Sequence, residues 1–579
     1  MRGSATLDLA ARAAAWERLD GGYVDVLVVG AGVTGAGVAL DAVTRGLSTA
    51  VVDGRDIASG TSSRSSKLFH GGLRYLEQYD VQLVREALRE RDLMVTRLAP
   101  HLVRPVSFLY PLQHYGWERL YVGAGLALYD LLGGARALPR HRHLSRTRAR
   151  ALAPALKRSA LVGGIRYYDA QTDDARHTLT LARTAAAYGA LVRTSTEVVG
   201  FLREGGRVVG AELRDTETGE QVTVRTGVVV NATGVWTDDV QRLADSRGEF
   251  KVRASKGIHV VVPRDRISSE TGLILRTEKS VLFVIPWDDH WIVGTTDEDW
   301  VYDKAHPAAS SADIDYVLDH VNAVLSVPLT RADISGVYAG LRPLLSGEHE
   351  ETSQLSREHA ISRSPRGMVS VAGGKYTTYR VMARDAVDAA VAELGRPAHP
   401  CVTDEIPLLG ADGYHALANQ VQTLAEDLSL PSWRVEHLLG RYGALIDDVL
   451  APAADDPSLL EPVPGAGEYL MAEIRYAASH EGALHLDDVL TRRTRISIGT
   501  THRGLESMKP VAALLADVLG WDDEQTVREI AAYDARVAAE RASQEATDDE
   551  NADARRLVAP DTRRTVVRQA TTRRSPIAQ

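Results

Sequence analysis

The sequence predicts an α/β fold in which a dinucleotide-binding sheet is interrupted by an antiparallel domain and followed by a helical one. Three observations carry this. An apolar run, Val26–Val29, ends in Gly30-x-Gly32-x-x-Gly35 and leads into a helical stretch. Two later apolar runs end in close-approach turns, Asn231-Ala232-Thr233-Gly234 after 228–230 and Gly373-Gly374-Lys375 after Met368–Ala372. From about residue 408 to Glu540 the pattern is mostly helical. A sheet whose strands are scattered this widely along the chain arises when another domain is inserted into it.

Taken in order, Leu7–Leu19 is an Ala/Arg-rich amphipathic pattern, a leading helix within 1–22. Val26–Val29 reads as a buried parallel strand, Val33–Arg45 as a helix and Ser48–Asp53 as the second strand. Residues 78–98 are strongly helical, and Pro100 to Pro154 reads as irregular, rich in Pro, Gly and aromatics. Leu191–Glu197, Arg207–Leu213 and Gln221–Val230 alternate as strands, with a turn at Thr216–Glu220. His259–Val262, Leu282–Pro286 and Trp291–Thr296 read as antiparallel strands, and Ala312–Val327 as a helix. Met368–Ala372 is a further strand, followed by a helix from Thr378, and Pro397–Pro407 is a linker. The expected division is a nucleotide-binding domain from 23–100, 160–257 and 340–398, and a substrate or cap domain from 101–159 and 258–339. A helical domain over 399–540 and a disordered basic tail over 541–579 complete it.

Composition narrows the class. At 579 residues, with 44% hydrophobic and 25% charged residues, the chain is an ordinary globular protein of several domains. No apolar run reaches the ~20 residues of a membrane-spanning helix; the nearest, Tyr121–Gly134, is Gly-rich and broken by Asp130. The N-terminus lacks a signal pattern, so a cytoplasmic location is expected. The single cysteine, Cys401, excludes an internal disulfide, a Cys-x-x-Cys pair and a cysteine-ligated iron–sulfur cluster. Electrons, if they move, travel on an organic cofactor. The formal charge of −10 hides a tail, 555–579, with seven arginines and one aspartate. That tail is either a solvated extension or a contact for anionic lipid; no nucleic-acid partner is expected.

In Gly30-x-Gly32-x-x-Gly35 the first glycine permits the tight turn. The second admits the pyrophosphate, and the third allows helix and strand to pack closely, with the phosphates over the helix N-terminus. Asp53, closing the next strand, is placed to bind a ribose hydroxyl. The turns at Ala232–Gly234 and Gly373–Gly374 suit a cofactor lying extended across the domain, which favours FAD over NAD. Gly374-Lys375 is not a phosphate loop, since Val369 stands where its first glycine would be and Tyr376 where its hydroxyl residue would be. His480 and His485 are five apart, not the four of a zincin, and no metal site is expected. Arg74, Arg342, Arg357 and Lys375 lie in segments rich in Gly, Pro or hydroxyl residues. They are either four ordinary surface cations or, converging, a site for a phosphate dianion. His259, opening a strand, is either a structural histidine or a proton acceptor.

Thr61–Leu76, reading Thr-Ser-Ser-Arg-Ser-Ser-Lys-Leu-Phe-His-Gly-Gly-Leu-Arg-Tyr-Leu, is the most informative run. With Gly30–Gly37, Asn231–Gly234, Lys256–His259, Phe283–Trp287, Gly294–Asp297, Gly340–Leu344 and Gly373–Arg380, it resembles the FAD-dependent, quinone-linked glycerol-3-phosphate dehydrogenases. The resemblance covers 23–400 strongly and continues through Glu473–Tyr476 and Asp488–Thr494. It implies an FAD-binding Rossmann-like domain of the glutathione-reductase/D-amino-acid-oxidase type, an interleaved antiparallel-sheet substrate domain and a helical C-terminal domain. The implied reaction is sn-glycerol 3-phosphate to dihydroxyacetone phosphate, with hydride passing from C2 to flavin N5 and electrons to a membrane quinone. Ser62, Ser63, Ser66, Lys67 and Leu68 would contact FAD, with Gly30, Gly32, Gly35, Asp53, Ala232, Gly234, Gly374 and Thr377. His259, Arg342 and Lys375 would be catalytic, with Arg74, Tyr75 and Arg357 binding substrate. A homodimer attached peripherally to the inner face of the cell membrane is implied as well. Asp53 stands where many such flavoproteins carry Glu. The alternatives are a glycerol-3-phosphate oxidase using O₂, another flavoenzyme of the amino-acid-oxidase fold, and a flavin-binding regulatory protein without catalysis.

Overall fold

The computed structural model describes residues 5–72, 76, 80–133, 137–245, 249–276, 281–345, 359–559 and 561–563. Among these, two large sheets and a mostly helical C-terminal region account for the architecture.

The first sheet is built around Tyr23–Val29, which pairs in parallel with Thr49–Val52 on one side and Gln221–Asn231 on the other. Leu191–Arg193 extends the parallel set beyond Thr49–Val52, and Met368–Gly373 extends it beyond Gln221–Asn231. Both faces of such a strand are covered, which is why Val26–Val29 reads as unbroken apolar sequence. On one face the helices Val33–Thr44, Asp174–Ala187 and Tyr379–Leu394 bury Ala36, Ala39, Leu179 and Ala386 against Val26 and Val28. On the other, an antiparallel meander, Thr196–Glu204 with Arg207–Asp215, sets Ala211 and Leu213 against Leu27 and Val29.

The second sheet centres on Val252–Pro263, whose neighbours are His290–Gly294, Glu298–Trp300 and Gly336–Leu345, all antiparallel. It runs on through Val281–Trp287, Gly272–Arg276, Arg104–Leu112 and Gly163–Gln171 to Leu68–Phe69. The helix Ser311–Val324 closes one face with Ile314, Val317 and Val321. Val122 and Leu126 of the helix Trp117–Gly133 pack over Phe108 and Tyr167 on the opposite side.

Three expectations are corrected. Gly163–Gln171 and the 340–345 end of Gly336–Leu345, assigned above to the nucleotide domain, belong to the second sheet; alternation along a strand does not reveal which sheet it joins. Pro100 to Pro154 is not irregular. It holds the strand Arg104–Leu112 and the 17-residue helix Trp117–Gly133. That helix is apolar on much of its outer side as well as its inner, with Trp117, Leu120 and Leu131 exposed. The His143 ring packs against Gly123, where a Cβ would lie 2.6 Å from it.

The tail is ordered over much of its expected disordered length. Asp523–Gln544 runs past Glu540, and a further helix spans Asp549–Arg556. Its composition is that of a disordered segment, but distant partners hold it: Asp549 pairs with the fully buried Lys256, and Ala552 packs with Trp300 and Leu341. The rest of the tail, 564–579, lies outside the described residues.

The C-terminal region docks through buried ion pairs. Asp56 accepts from Arg492 (2.6 Å) and twice from Arg493 (2.7 Å each), and Arg176 pairs with Glu481. Arg495 reaches Asp173 and Asp174, both at 2.6 Å.

Candidate active site

A cleft of about 890 Å³ opens at the carboxyl ends of the parallel strands and is walled on its far side by the second sheet. This is where ligands bind in open α/β sheets, and the volume lies in the upper part of the ~300–1,000 Å³ range of ligand sites. Gly30, at φ +101°, turns the chain into the helix; a Cβ there would lie 2.8 Å from the Ala232 carbonyl oxygen. A Cβ on Gly35 would lie 1.8 Å from the Gly30 carbonyl oxygen, so Gly35 acts by packing rather than by lining the cleft. The result is a bare backbone cradle at a helix N-terminus, lined by Gly30 and Gly32 on one side and Ala232 and Gly234 on the other. Ser62 Oγ accepts from the Val33 amide at 2.9 Å within this cradle. Asp53 lines it too, accepting from the amides of Ala31 (2.7 Å) and Arg55 (2.8 Å). Burial pushes the Asp53 carboxyl above its ordinary value, against the pull of those two amides. These residues fit an extended dinucleotide: backbone room and amides for a pyrophosphate, a carboxylate for a ribose.

The opposite wall carries the cations and the imidazole. In the register of the second sheet Ser255 faces Arg342, Gly257 faces Gly340 and His259 faces Tyr338. Arg342 is anchored from behind by Asp297, Thr295 Oγ1 and the Thr296 carbonyl, each at 3.1 Å, and by Ser255 Oγ at 3.4 Å. Gly257 makes room for it, since a Cβ at 257 would lie 2.5 Å from the guanidinium. The His259 ring stacks on Tyr338 with centroids 4.8 Å apart, and its Nε2 lies 2.9 Å from Ser66 Oγ. Its Nδ1 is buried with no hydrogen-bond partner among the described residues. Burial foremost, then Arg342 and Lys67, holds the imidazole well below its ordinary pKa. Gly374, Lys375 and Thr377 reach the cleft from the end of the Met368–Gly373 strand.

The structure thus brings together Gly30, Gly32, Asp53, Ser62, Ser66, Leu68, Ala232, Gly234, His259, Arg342, Gly374, Lys375 and Thr377. It does not bring the side chains of Ser63 and Lys67 there. Lys67 is fully buried, donating to Asp174 at 2.6 Å and to the Ser63 carbonyl at 3.4 Å. Arg74, Tyr75 and Arg357 lie outside the described residues.

Residues 25–380 match the profile of the FAD dependent oxidoreductases, and 401–526 that of the C-terminal domain of alpha-glycerophosphate oxidase. Glycerol-3-phosphate dehydrogenase 2 of Mycobacterium tuberculosis is 60% identical over 97% of this chain and 96% of its own length. The chain belongs to the FAD-dependent glycerol-3-phosphate dehydrogenase family. The human mitochondrial glycerol-3-phosphate dehydrogenase is 37% identical over 86% of this chain and 71% of its own. Among solved structures, the glycerol-3-phosphate dehydrogenase of Bacillus halodurans, complexed with FAD, superposes with a TM-score of 0.75. It shares 29% identity and covers 92% of this chain and 97% of that one. FAD is accordingly the cofactor that the cradle is built to hold.

The structure gives roles to residues that no local pattern in the sequence marks. Tyr338, the platform for His259, stands two residues before the Gly340–Leu344 block, and its hydroxyl donates to the Ser65 carbonyl at 3.0 Å. Asp297, behind Arg342, was visible only as the end of a motif. Asp174 and Arg495 gave no local signal at all, because their roles exist only through contacts with the 61–68 segment.

Proposed function

We propose that this enzyme oxidises sn-glycerol 3-phosphate to dihydroxyacetone phosphate and passes the electrons to a membrane quinone. The observation that carries the reading is that Arg342, Lys375 and His259 all line the cofactor cleft. A phosphate dianion is bound by fixed cations, arginine offering a planar fork and lysine a point charge. Arg74, Tyr75 and Arg357 are assigned to the same substrate pocket.

When bound, FAD would supply the two-electron acceptor for the hydride that leaves C2. Loss of that hydride requires the C2 hydroxyl proton to leave, and His259 is the proposed acceptor. Its depressed pKa keeps it unprotonated at neutral pH, the form a base needs. Arg342 and Lys67 both oppose a proton there, so a phosphate dianion beside Arg342 would cancel part of their field and raise the basicity of His259 as substrate arrives. Arg342 and Lys375 would stabilise alkoxide character at the reacting oxygen.

Peripheral membrane attachment belongs to the same reading. No helix among the described residues is long and apolar enough to cross a membrane. Support comes from the outer face of Trp117–Gly133, where Trp117, Leu120, Tyr121, Leu128 and Leu131 are exposed. A helix apolar all round is ordinarily buried, and aromatic residues beside apolar ones suit a bilayer interface. Residues 113–150 also carry seven arginines against Glu118 and Asp130, which favours anionic lipid. The homodimer is checked by sedimentation.

The test is a visible spectrum of the purified protein under nitrogen before and after glycerol 3-phosphate. Bleaching by this substrate, and not by glycerol or an amino acid, is expected; a flavin that stays oxidised overturns the substrate assignment. Reoxidation by a soluble quinone rather than O₂ is the expected outcome at the second half-reaction.

A further inference from the structure

The last described residues return to the cofactor cleft. After the helix Asp549–Arg556, Asp561 and Arg563 stand in the cleft wall. Asp561 pairs with Arg55, two residues beyond Asp53, and lies 3.7 Å from His306. Arg563 is only 5% exposed. Its Nε donates to Ser195 Oγ at 2.8 Å and its Nη2 to both oxygens of Asp488, at 2.9 and 3.1 Å; Glu217 lies 3.6 Å away. Ser195 belongs to the turn that braces the ribose-side carboxylate: the amides of Ser195 and Thr196 donate to the carbonyls of Arg55 and Asp53, both at 2.7 Å. Two side chains of the far C-terminus are therefore built onto the turn that positions Asp53.

We propose that Asp561 and Arg563 form the outer wall of the adenosine end of the FAD site and slow the release of the cofactor. Both are positioning residues. Arg563 acts through Ser195 and the turn behind Asp53, and Asp561 acts through Arg55. The wall is held shut by pairs that need no cofactor: Lys256 with Asp549, the Asp303 amide to Asp553 at 3.2 Å, and Arg556 to His306 at 3.2 Å. A cofactor seated behind such a wall leaves only when the segment lifts, which breaks buried charge-assisted hydrogen bonds. Removal of Arg563 leaves Asp488 paired with Arg492 at 2.5 Å, so no buried carboxylate is stranded.

The experiment uses the full-chain holoenzyme, its Arg563→Ala and Arg563→Lys variants, and a chain ending at Val558. FAD release is followed by the rise of flavin fluorescence after dilution, and apoprotein melting is recorded alongside. The expectation is release about tenfold faster in Arg563→Ala and at least as fast in the shortened chain. Lysine should restore part of the retention, and the apoprotein melting temperature of Arg563→Ala should stay near that of the parent. Release within twofold of the parent in both Arg563→Ala and the shortened chain overturns the proposal. So does an apoprotein destabilised as much as the holoenzyme, which would make Arg563 a fold residue only. The inference rests on the cofactor alone and the readout uses no substrate. A chain that retains FAD but is not bleached by glycerol 3-phosphate would sink the substrate reading and leave this one standing.

Discussion

Gly257→Ala is the sharpest test of the cation wall, because it adds one methyl group and no charge. The new Cβ would lie 2.5 Å from Arg342 Nη2, 2.9 Å from its Cζ and 2.4 Å from Thr295 Oγ1. Ordinary contact begins near 3.4 Å, so the guanidinium must retreat by about 0.9 Å. Thr295, one of its anchors, must shift as well. The atoms met are the far ends of side chains, so the cost to folding should stay at or below the low end of the ~1–3 kcal/mol typical of overpacking. The cost to function should be larger. A misplacement of ~1 Å in a group that orients the substrate is worth on the order of 10²-fold, or about 2.7 kcal/mol in kcat/KM. Steady-state kinetics with glycerol 3-phosphate and a soluble acceptor, normalised to bound FAD, measure this. Arg342→Ala and the double variant complete a cycle, in which the two losses should overlap rather than add, since both act on one guanidinium. A kcat/KM within threefold of the parent in Gly257→Ala, or losses that add in the double variant, would refute the reasoning.

Three other outcomes follow from the buried charges. His259→Gln should lower kcat/KM by about 10²–10⁴-fold, the worth of a positioned base, with FAD retained. Its acid limb near pH 6 should persist, because that titration belongs to a phosphate monoester and not to an imidazole already held neutral; a limb that disappears would return the titration to His259. Asp174→Asn should destabilise by about 3–5 kcal/mol, the cost of breaking a buried pair, because it strands the fully buried Lys67. Lys67→Met should cost less than half as much, since Asp174 keeps Arg495 at 2.6 Å; denaturant melts giving the reverse order would show the pair to be misassigned. His485 is buried, which disfavours its charge, yet Glu217 and Glu529 raise its pKa to about 10. A raised folded pKa gives stability that is complete below the unfolded value of ~6.5 and drains away as pH rises toward 10, at ~1.4 kcal/mol per unit. Urea melts from pH 7 to 9.5 should show that slope in the parent and not in His485→Gln; parallel slopes would count against the assignment.

What was legible beforehand was whatever local chemistry dictates. The Val26–Val29 run, the turn at Gly30 and the acid at Asp53 each obey a short-range rule, and the parallel sheet formed around them. What escaped depends on partners far along the chain. The Gly163–Gln171 strand was invisible as a member of the second sheet because its pairing with Arg104–Leu112 is a long-range choice. Asp549–Arg556 looked like tail because its stabilisation comes from Lys256, Asp303 and Trp300, none of them within 200 residues. In the cleft, Gly30, Gly32, Gly234, Gly374 and His259 lie in segments that short-range patterns mark, whereas Tyr338 and Asp297 needed the sheet register to acquire a role.

The segment 62–68 shows how a misread cation becomes intelligible. Read as a sequence, its hydroxyls and Lys67 form one polar surface for the cofactor. In space the segment is a 3₁₀ turn over Thr61–Ser63, a bend, and a short strand from Leu68, with Lys67 in the left-handed region at φ +57°, so its side chains diverge. Ser62, Arg64, Ser65, Ser66 and Leu68 line the cleft. Ser65 Oγ and Lys67 Nζ turn to Asp174, at 2.7 and 2.6 Å, and the Ser63 carbonyl accepts from Arg495 at 3.2 Å. The Ser63 carbonyl, Ser65 and Lys67 thus tie this wall of the cleft to Asp174 of the nucleotide domain and Arg495 of the C-terminal domain, while Ser62, Ser66 and Leu68 face the cleft. Lys67 contributes indirectly: fixed beneath the wall, it adds to the field that keeps His259 unprotonated. Substitutions should therefore sort by the partner each side chain has. Those at 65 and 67 should appear first as loss of stability at the domain junction, and those at 62, 66 and 68 as loss of FAD affinity or turnover in a chain that still folds.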